Sequence, residues 1–314
     1  MDDRRTFIKK SGLIASAFGL QGMAAFPLNL NTLSQPKISL AQWSLHRALE
    51  SRQTKAEDFA SVARNDYGIE AVEYVNSFYK EDGTNELFWK QMRERADNEG
   101  VKSLLIMVDN EGELGNPDKE SRKQAVENHF KWIHACKLLG GHSIRINAFG
   151  SGDRDSLRDA LADGLGQLAE YGGKEGINIL IENHGLHTSD AGFIVEIIKA
   201  VNHPYLGTLP DFGNWCLNTE WGSTQNKECS QVYDPLKGVA QFLPYAKGVS
   251  AKSYAFNEQG FESLIDYPGL LGLVKNSEYQ GYIGIEYEGI GLSEAAGIRA
   301  TKTLIERVWR DLEN

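Results

Sequence analysis

Short runs of crowded apolar residues recur along the chain from residue 37 to residue 288, separated by longer stretches with apolar residues at helical spacing. The short runs are Lys37–Trp43 (KISLAQW), Ile69–Val75 (IEAVEYV), Lys102–Val108 (KSLLIMV), Ser143–Asn147 (SIRIN), Ile177–Glu182 (INILIE), Leu206–Asp211 (LGTLPD), Gly248–Lys252 (GVSAK) and Tyr282–Glu286 (YIGIE). Several are continuously apolar rather than alternating, the pattern of strands covered on both faces in a parallel sheet. Between them, Val126, Phe130 and Ile133 share one face of a helix predicted over about 119–139. Leu157, Leu161, Leu165 and Leu168 form a second stripe. Ile194, Ile197 and Ile198 follow Ser189-Asp190, a polar pair suited to capping exposed helix N–H groups. A last helix is predicted from about Ser293 to Leu312. These stripes read as core. Eight strand–helix alternations predict an α/β fold, a (β/α)8 TIM barrel. No linker-like composition divides 26–314, so a single barrel domain is expected there.

The first residues break this pattern. Arg4 and Arg5 precede Thr6, Phe7, Ile8, Lys9 and Lys10; a modestly apolar run follows from Ser11 to about Ala25, ending in Met23-Ala24-Ala25. Basic, then apolar, then small residues is the order of a secretory signal, expected over 1–25. The Arg-Arg-x-Phe-Ile-Lys core resembles the twin-arginine type, which implies export to the periplasm. The apolar run is too short and too rich in Gly and Ser for a stable span of ~20 residues, so no membrane span is expected after cleavage.

Composition narrows the function classes. With 33 basic and 43 acidic side chains among 314 residues, the net charge of −10 disfavours a phosphate backbone as partner, and no nucleic acid is expected. Three cysteines, Cys136, Cys216 and Cys229, with no C-x-x-C spacing, argue against a zinc-thiolate site. Cys216 and Cys229 lie in one loop-like stretch and could pair, with Cys136 left over on a helix, but free buried cysteines are the favoured expectation over a disulfide.

In a barrel of this kind catalytic groups cluster where strands finish. The strand ends offer Trp43 and His46, Glu73, Arg145 and Asn147, Glu182 with Asn183 and His184, Asp211 with Asn214, Lys252, and Glu286 with Glu288. Glu182, Asp211 and Glu286 each end an otherwise apolar strand, where a carboxylate is costly to desolvate unless paired or metal-bound. Three converging on one mouth would repel one another without a cation, which suits Mn²⁺ or Mg²⁺, or Zn²⁺ if a nitrogen joins. The competing expectation is that each carboxylate caps a helix or pairs with Arg145 or Lys252.

The runs ILIENHG (179–185), LPDFGNW (209–215), GVSAKSY (248–254) and GYIGIEYEG (281–289) together resemble the xylose isomerase-like TIM-barrel superfamily over roughly 37–310. That resemblance implies a divalent-metal-dependent sugar isomerase or epimerase that abstracts a proton next to a carbonyl and passes through an enediolate. In D-tagatose 3-epimerase-like members the metal is held by Glu, Asp, His and Glu. By motif these look like Glu182, Asp211 and Glu286, with Ser250 standing where the His of a Val-His-x-Lys-Asp run is expected; Lys252 is kept and Ser253 replaces the Asp. Glu182 and Glu286 are the expected catalytic pair. His46, Arg145, His184, Asn214 and Lys252 are the expected substrate-binding groups, and Trp43, Trp215 and Trp221 are candidate aromatic walls for a sugar ring. Glu288 is an alternate to Glu286.

Export favours an unphosphorylated carbohydrate, a uronate or a 3-keto glycoside over a sugar phosphate. A keto-glycoside lyase or dehydratase on the same barrel is the alternative reaction, and a non-catalytic carbohydrate-binding barrel the alternative class. The DNA-repair branch of the superfamily is set aside, since only 7 histidines are present and the charge is acidic. Relatives often associate, so a homo-oligomer is a further expectation.

Overall fold

The computed structural model describes residues 35–313, so the signal-like segment 1–25 lies outside the described residues. Eight strands run in chain order: β1 (Ile38–Ala41), β2 (Ala71–Val75), β3 (Lys102–Val108), β4 (Ser143–Ile146), β5 (Asn178–Glu182), β6 (Leu206–Leu209), β7 (Val249–Ser253) and β8 (Ile283–Tyr287). All ladders are parallel, in the order β6-β5-β4-β3-β2-β1-β8-β7. The two ends of that order meet. Thr208 bridges Ala246 and Asp211 bridges Ser250, with Phe212 N–H donating to Ser250 O and Ser250 N–H to Pro210 O, each at 3.0 Å. The sheet is therefore the closed barrel that the sequence predicts. At the first strand the expected extension to Trp43 is replaced by a 3₁₀ turn, Gln42–Leu45, which swings Trp43 to the barrel rim.

The helices are α1 (His46–Glu50), α2 (Phe59–Tyr67), α3 (Glu86–Asn98), α4 (Lys119–Leu139), α5 (Arg154–Glu175), α6 (Ala191–Val201), α7 (Pro235–Phe242), α8 (Tyr267–Lys275) and α9 (Glu294–Asp311). Acidic or hydroxyl side chains cap the starts of α4 to α9. Asp118 accepts from Ser121 N, Asp153 from Ser156 N, Asp190 from Phe193 N and Ser293 from Ala296 N, each satisfying an amide that the helix leaves without a partner.

Two apolar cores result. The larger lies between sheet and helices, where the α5 stripe Leu161, Leu165 and Leu168 is fully buried against residues such as Ile144 and Ile179. Each such leucine contributes about 2 kcal/mol by leaving water. The smaller fills the barrel interior with Ala41, Leu105, Met107, Leu180 and Leu209. No helix among the described residues is long and apolar enough to cross a membrane.

The loop between β6 and α7 corrects one expectation. Cys216 and Cys229 are joined by a disulfide, with Cα atoms 5.8 Å apart, whereas Cys136 on α4 is free and buried. Cys216 forms an antiparallel bridge with Val232, and Asn218 Oδ1 accepts from Ser230 N and Gln231 N at 2.9 and 3.0 Å. The loop thus doubles back on itself, a reversal made by asparagine side-chain hydrogen bonds that cysteine counting does not register.

Candidate active site at the barrel mouth

Residues two apart on a strand face the same way, so each strand sends a column of side chains into the barrel. From β7 come Ser250 and Lys252, from β8 Gly284 and Glu286, from β4 Arg145 followed by Asn147, and from β5 Leu180 and Glu182. The β7–β8 register sets Lys252 beside Glu286, and the β6–β7 bridge sets Asp211 beside Ser250. Carboxylate oxygens of Glu182, Asp211 and Glu286 consequently converge, all within 4.8 Å of one another and all buried.

Ser250 sits inside this group. Its Oγ is 2.6 Å from Asp211 Oδ2 and 2.7 Å from Glu286 Oε2. Lys252 Nζ lies 2.9 Å from Glu288 Oε1, 3.4 Å from Glu286 Oε1 and 4.0 Å from Asp211 Oδ2. Across the mouth Arg145 Nε is 2.8 Å from Glu182 Oε2, an ion pair without hydrogen-bond alignment, and its Nη1 donates to Asp109 Oδ1 at 2.5 Å. Asp211 Oδ1 accepts from the backbone N–H of Gly213 and Asn214 at 2.7 and 2.9 Å, which locks its rotamer.

Charge is unbalanced here. Asp109, Glu182, Asp211, Glu286 and Glu288 face the cations Arg145 and Lys252. Burial, reinforced by Glu286 and Asp211, pushes the Glu182 carboxyl well above the usual range despite Arg145. Burial also raises Asp211 to about 7, with Glu286 adding to it and Lys252 opposing. Burial works against charge on Lys252, but Asp211, Glu286 and Glu288 outweigh it and hold the ammonium firmly protonated. A cluster of hard oxygen donors whose charge the protein leaves uncompensated fits a hard divalent cation such as Mg²⁺ or Mn²⁺. Glu182, Asp211 and Glu286 would hold it, with Ser250 Oγ as a weak neutral neighbour where a histidine would give Zn²⁺ a nitrogen.

A second chain of contacts fixes His184. Asn147 Nδ2 donates to Asp109 Oδ1 at 2.7 Å, which orients the amide so that its Oδ1 accepts from His184 Nδ1 at 2.7 Å. Burial and Arg145 hold the imidazole well below its usual range, so it is neutral with Nε2 left as an acceptor. Burial would raise Asp109, yet Arg145 outweighs it and keeps that carboxyl below its ordinary value.

These groups line a cavity of about 330 Å³, walled by Trp43, Asp109, Arg145, His184, Trp221 and Lys252 with Glu286 and Glu288. Of the expected substrate-binding groups, Arg145, His184 and Lys252 are on this wall. Glu182 and Asp211 are buried and absent from this wall, and three further expected residues do not reach it either. His46 stacks on Trp43 with ring centroids 4.9 Å apart and its Nδ1 hydrogen-bonds Trp43 O, because the turn after β1 folds it back. Asn214 is buried and its Nδ2 donates to Glu182 Oε1 at 3.4 Å. Trp215 packs in the core against Phe242 and Tyr233. Glu288 pairs with Lys252 and stands outside the three-carboxylate group. Asp109 was missed. Its signal was available, since it continues the inward column Leu105–Met107 one step past the end of β3.

Deeper in the barrel Glu73 accepts from Ser39 Oγ at 2.6 Å, while its Oε2 is buried without a partner. A Cβ at position 284 would fall 2.6 Å from Glu73 Oε1, so Gly284 is the residue that leaves room for it. Burial raises this carboxyl to about 7.

The comparisons agree with this architecture. No curated protein matches the sequence. Among solved structures, the 3-keto-D-glucoside 4-epimerase of E. coli superposes with a TM-score of 0.65 at 14% identity, covering 87% of this chain and 100% of that one. A xylose isomerase-like TIM barrel protein from Mycobacterium smegmatis in complex with magnesium gives 0.62 at 16%, covering 90% and 98%. D-psicose 3-epimerase with D-tagatose, from Clostridium cellulolyticum H10, gives 0.61 at 12%, covering 88% and 96%. At these identities the likeness is one of fold. The family profile described as Xylose isomerase-like TIM barrel matches residues 62–308, from α2 to α9. Barrel, strand-end carboxylates and profile coincide over most of the chain, which belongs to the xylose isomerase-like TIM-barrel family.

Proposed function

We propose that this protein is a divalent-metal-dependent sugar isomerase or epimerase acting on an unphosphorylated carbohydrate. The observation that carries the reading is the convergence of three buried carboxylates, Glu182, Asp211 and Glu286, within 4.8 Å at the mouth of the barrel. Fold neighbours whose names describe keto-glucoside and psicose epimerases, and one complexed with magnesium, support it.

Glu182, Asp211 and Glu286 would hold a divalent cation, which would supply charge stabilisation to substrate oxygens during proton abstraction at a neighbouring carbon. Glu182 and Glu286, on strands three positions apart in the ring, take up and return that proton. Arg145 fixes one and Lys252 the other, so each stays aimed while its protonation state changes. Neutral His184 accepts a substrate hydroxyl at Nε2, and the Trp43 and Trp221 indoles wall the ring. Return to the opposite face of the same carbon epimerises; return to the adjacent carbon isomerises. With a leaving group β to the carbon, the same abstraction ends in elimination. Export by the Arg4-Arg5 signal, with cleavage near residue 25, belongs to the same proposal and is why no phosphate is assigned to the substrate.

Incubation of the Mn²⁺-loaded protein in D₂O with a panel of free sugars, uronates and 3-keto glycosides tests the reading. It predicts deuterium incorporation at a carbon next to a carbonyl, or release of an aglycone. Neither event across the panel overturns it.

A further inference from the structure

The cavity at the barrel mouth does not end at Glu288. That residue and Ser223 also line a second cavity of about 670 Å³ farther out, between the segment after β7 and the segment after β8. Its walls are built. Tyr254 and Ala255 both donate backbone N–H groups to Glu262 Oε1, at 3.2 and 3.0 Å, fixing one side. On the other side Glu288 N–H donates to Ser253 O at 3.0 Å and Leu292 N–H to Tyr287 Oη at 3.1 Å. Gly289 lies so close to Tyr254 that a Cβ there would fall 1.8 Å from its carbonyl oxygen. The third side, Ser223 to Asn226, belongs to the loop stapled by Cys216–Cys229, and Ser223 Oγ is hydrogen-bonded to Tyr254 Oη at 2.9 Å.

The lining of this outer space differs from that of the inner one. Where the inner cavity carries Arg145, Lys252 and Glu286, the outer presents Phe256, Leu264, Ile290 and Leu292. Three of these are large aliphatics left in water: Ile290 is 96% exposed, Leu264 50% and Leu292 39%. Scattered exposed aliphatics need no explanation, but three around one concave space continuous with a polar site make an apolar-binding surface.

We propose that the outer cavity is a subsite for the apolar aglycone of a glycoside whose sugar ring occupies the inner cavity. This rests on the sugar-processing reading above and extends it to a substrate class. The charged inner cavity holds the hydroxyls and carbonyl; the anomeric substituent leaves past Ser223 and Glu288 and lies against Leu264, Ile290 and Leu292. Covering those side chains adds binding energy that a free monosaccharide does not gain.

Calorimetric titration with Mg²⁺ present tests this, using methyl and phenyl glycosides of glucose, galactose, mannose and xylose in both anomeric forms. The wild-type chain is compared with a Leu264→Ser/Ile290→Ser double variant, whose changes lie at exposed positions outside the inner cavity. The expected result is a phenyl glycoside bound about tenfold more tightly than its methyl counterpart, as one apolar ring leaving water provides. That advantage falls to about one in the double variant, with the methyl glycoside unaffected. A methyl glycoside that binds while its phenyl counterpart binds no better overturns the subsite and leaves the sugar reading standing. A phenyl advantage that survives the double variant also overturns the subsite. Failure of every glycoside to bind overturns both.

Discussion

Ser250 Oγ lies 2.6 Å from Asp211 Oδ2 and as a single hydroxyl also reaches Glu286. A serine has one proton to donate. With two carboxylates against it, one contact is satisfied only when the facing carboxyl carries a proton of its own. Asp211, raised to about 7 by burial and by Glu286, is the group placed to hold it. The serine that stands where a metal-binding histidine is expected therefore ties metal-free carboxylates together.

Replacing that serine tests its effect on the metal. Ser250→His supplies an imidazole to the three-carboxylate group, and Mn²⁺ or Zn²⁺ affinity should rise on the order of tenfold or more. Competition against a fluorescent chelator measures it. Unchanged affinity would mean that position 250 does not border the cation.

Metal binding should also be coupled to protons. The folded, metal-free protein holds the Asp211 proton above the ordinary value of 3.8, so its stabilising contribution is full below that value and is lost as pH rises through about 7. A cation binds the ionised carboxylate, so apparent affinity should climb as pH rises through about 7, with Glu182, raised as well, adding to the climb. Titrations at pH 6 in buffers of different ionisation enthalpy should show proton release that shrinks at pH 8. Equal release at both pH values would remove Asp211 from the ligand set.

Glu73 offers a stability test away from the cation. Its carboxyl is raised from 4.5 to about 7, with one oxygen unpartnered, so its stabilising contribution is likewise complete at low pH and is lost as pH rises through about 7. Glu73→Gln should be close to neutral at pH 5 and more stable than wild type at pH 8 by up to about 3 kcal/mol. Denaturant midpoints across that range give the difference directly. A variant destabilised equally at both values contradicts the assignment.

The Cys216–Cys229 bridge closes the loop that carries Trp221 and Ser223 to the cavities. Replacing both cysteines by serine should cost about 3 kcal/mol through the freed loop. It should also weaken sugar binding while leaving the far-UV signature of the barrel intact. Unaltered binding would show that the loop holds its shape without the staple.

The barrel was legible because its strands are buried on both faces and read as apolar runs, and because a carboxylate at the end of such a run has no packing reason to be there. Glu182, Asp211 and Glu286 were singled out by that contrast, and Arg145 and Lys252 by their places at strand ends. What stayed hidden depends on backbone direction beyond the strands. Nothing in the sequence shows that the turn at Gln42–Leu45 folds His46 onto Trp43, that Trp215 turns into the core, or that asparagine hydrogen bonds double the 216–229 segment back to pair its cysteines. Asp109, by contrast, was legible in principle, since it continues the inward alternation of Leu105 and Met107 one step past the end of β3.

The central claim is that Glu182, Asp211 and Glu286 together hold a divalent cation. Plasma mass spectrometry on the purified protein after loading with Mn²⁺ and desalting, beside a Glu182→Gln/Glu286→Gln variant, tests it most directly. The account predicts about one equivalent of metal in the wild type and its loss in the variant. No metal in either, or equal metal in both, would contradict it and leave a barrel that binds sugar without a cation.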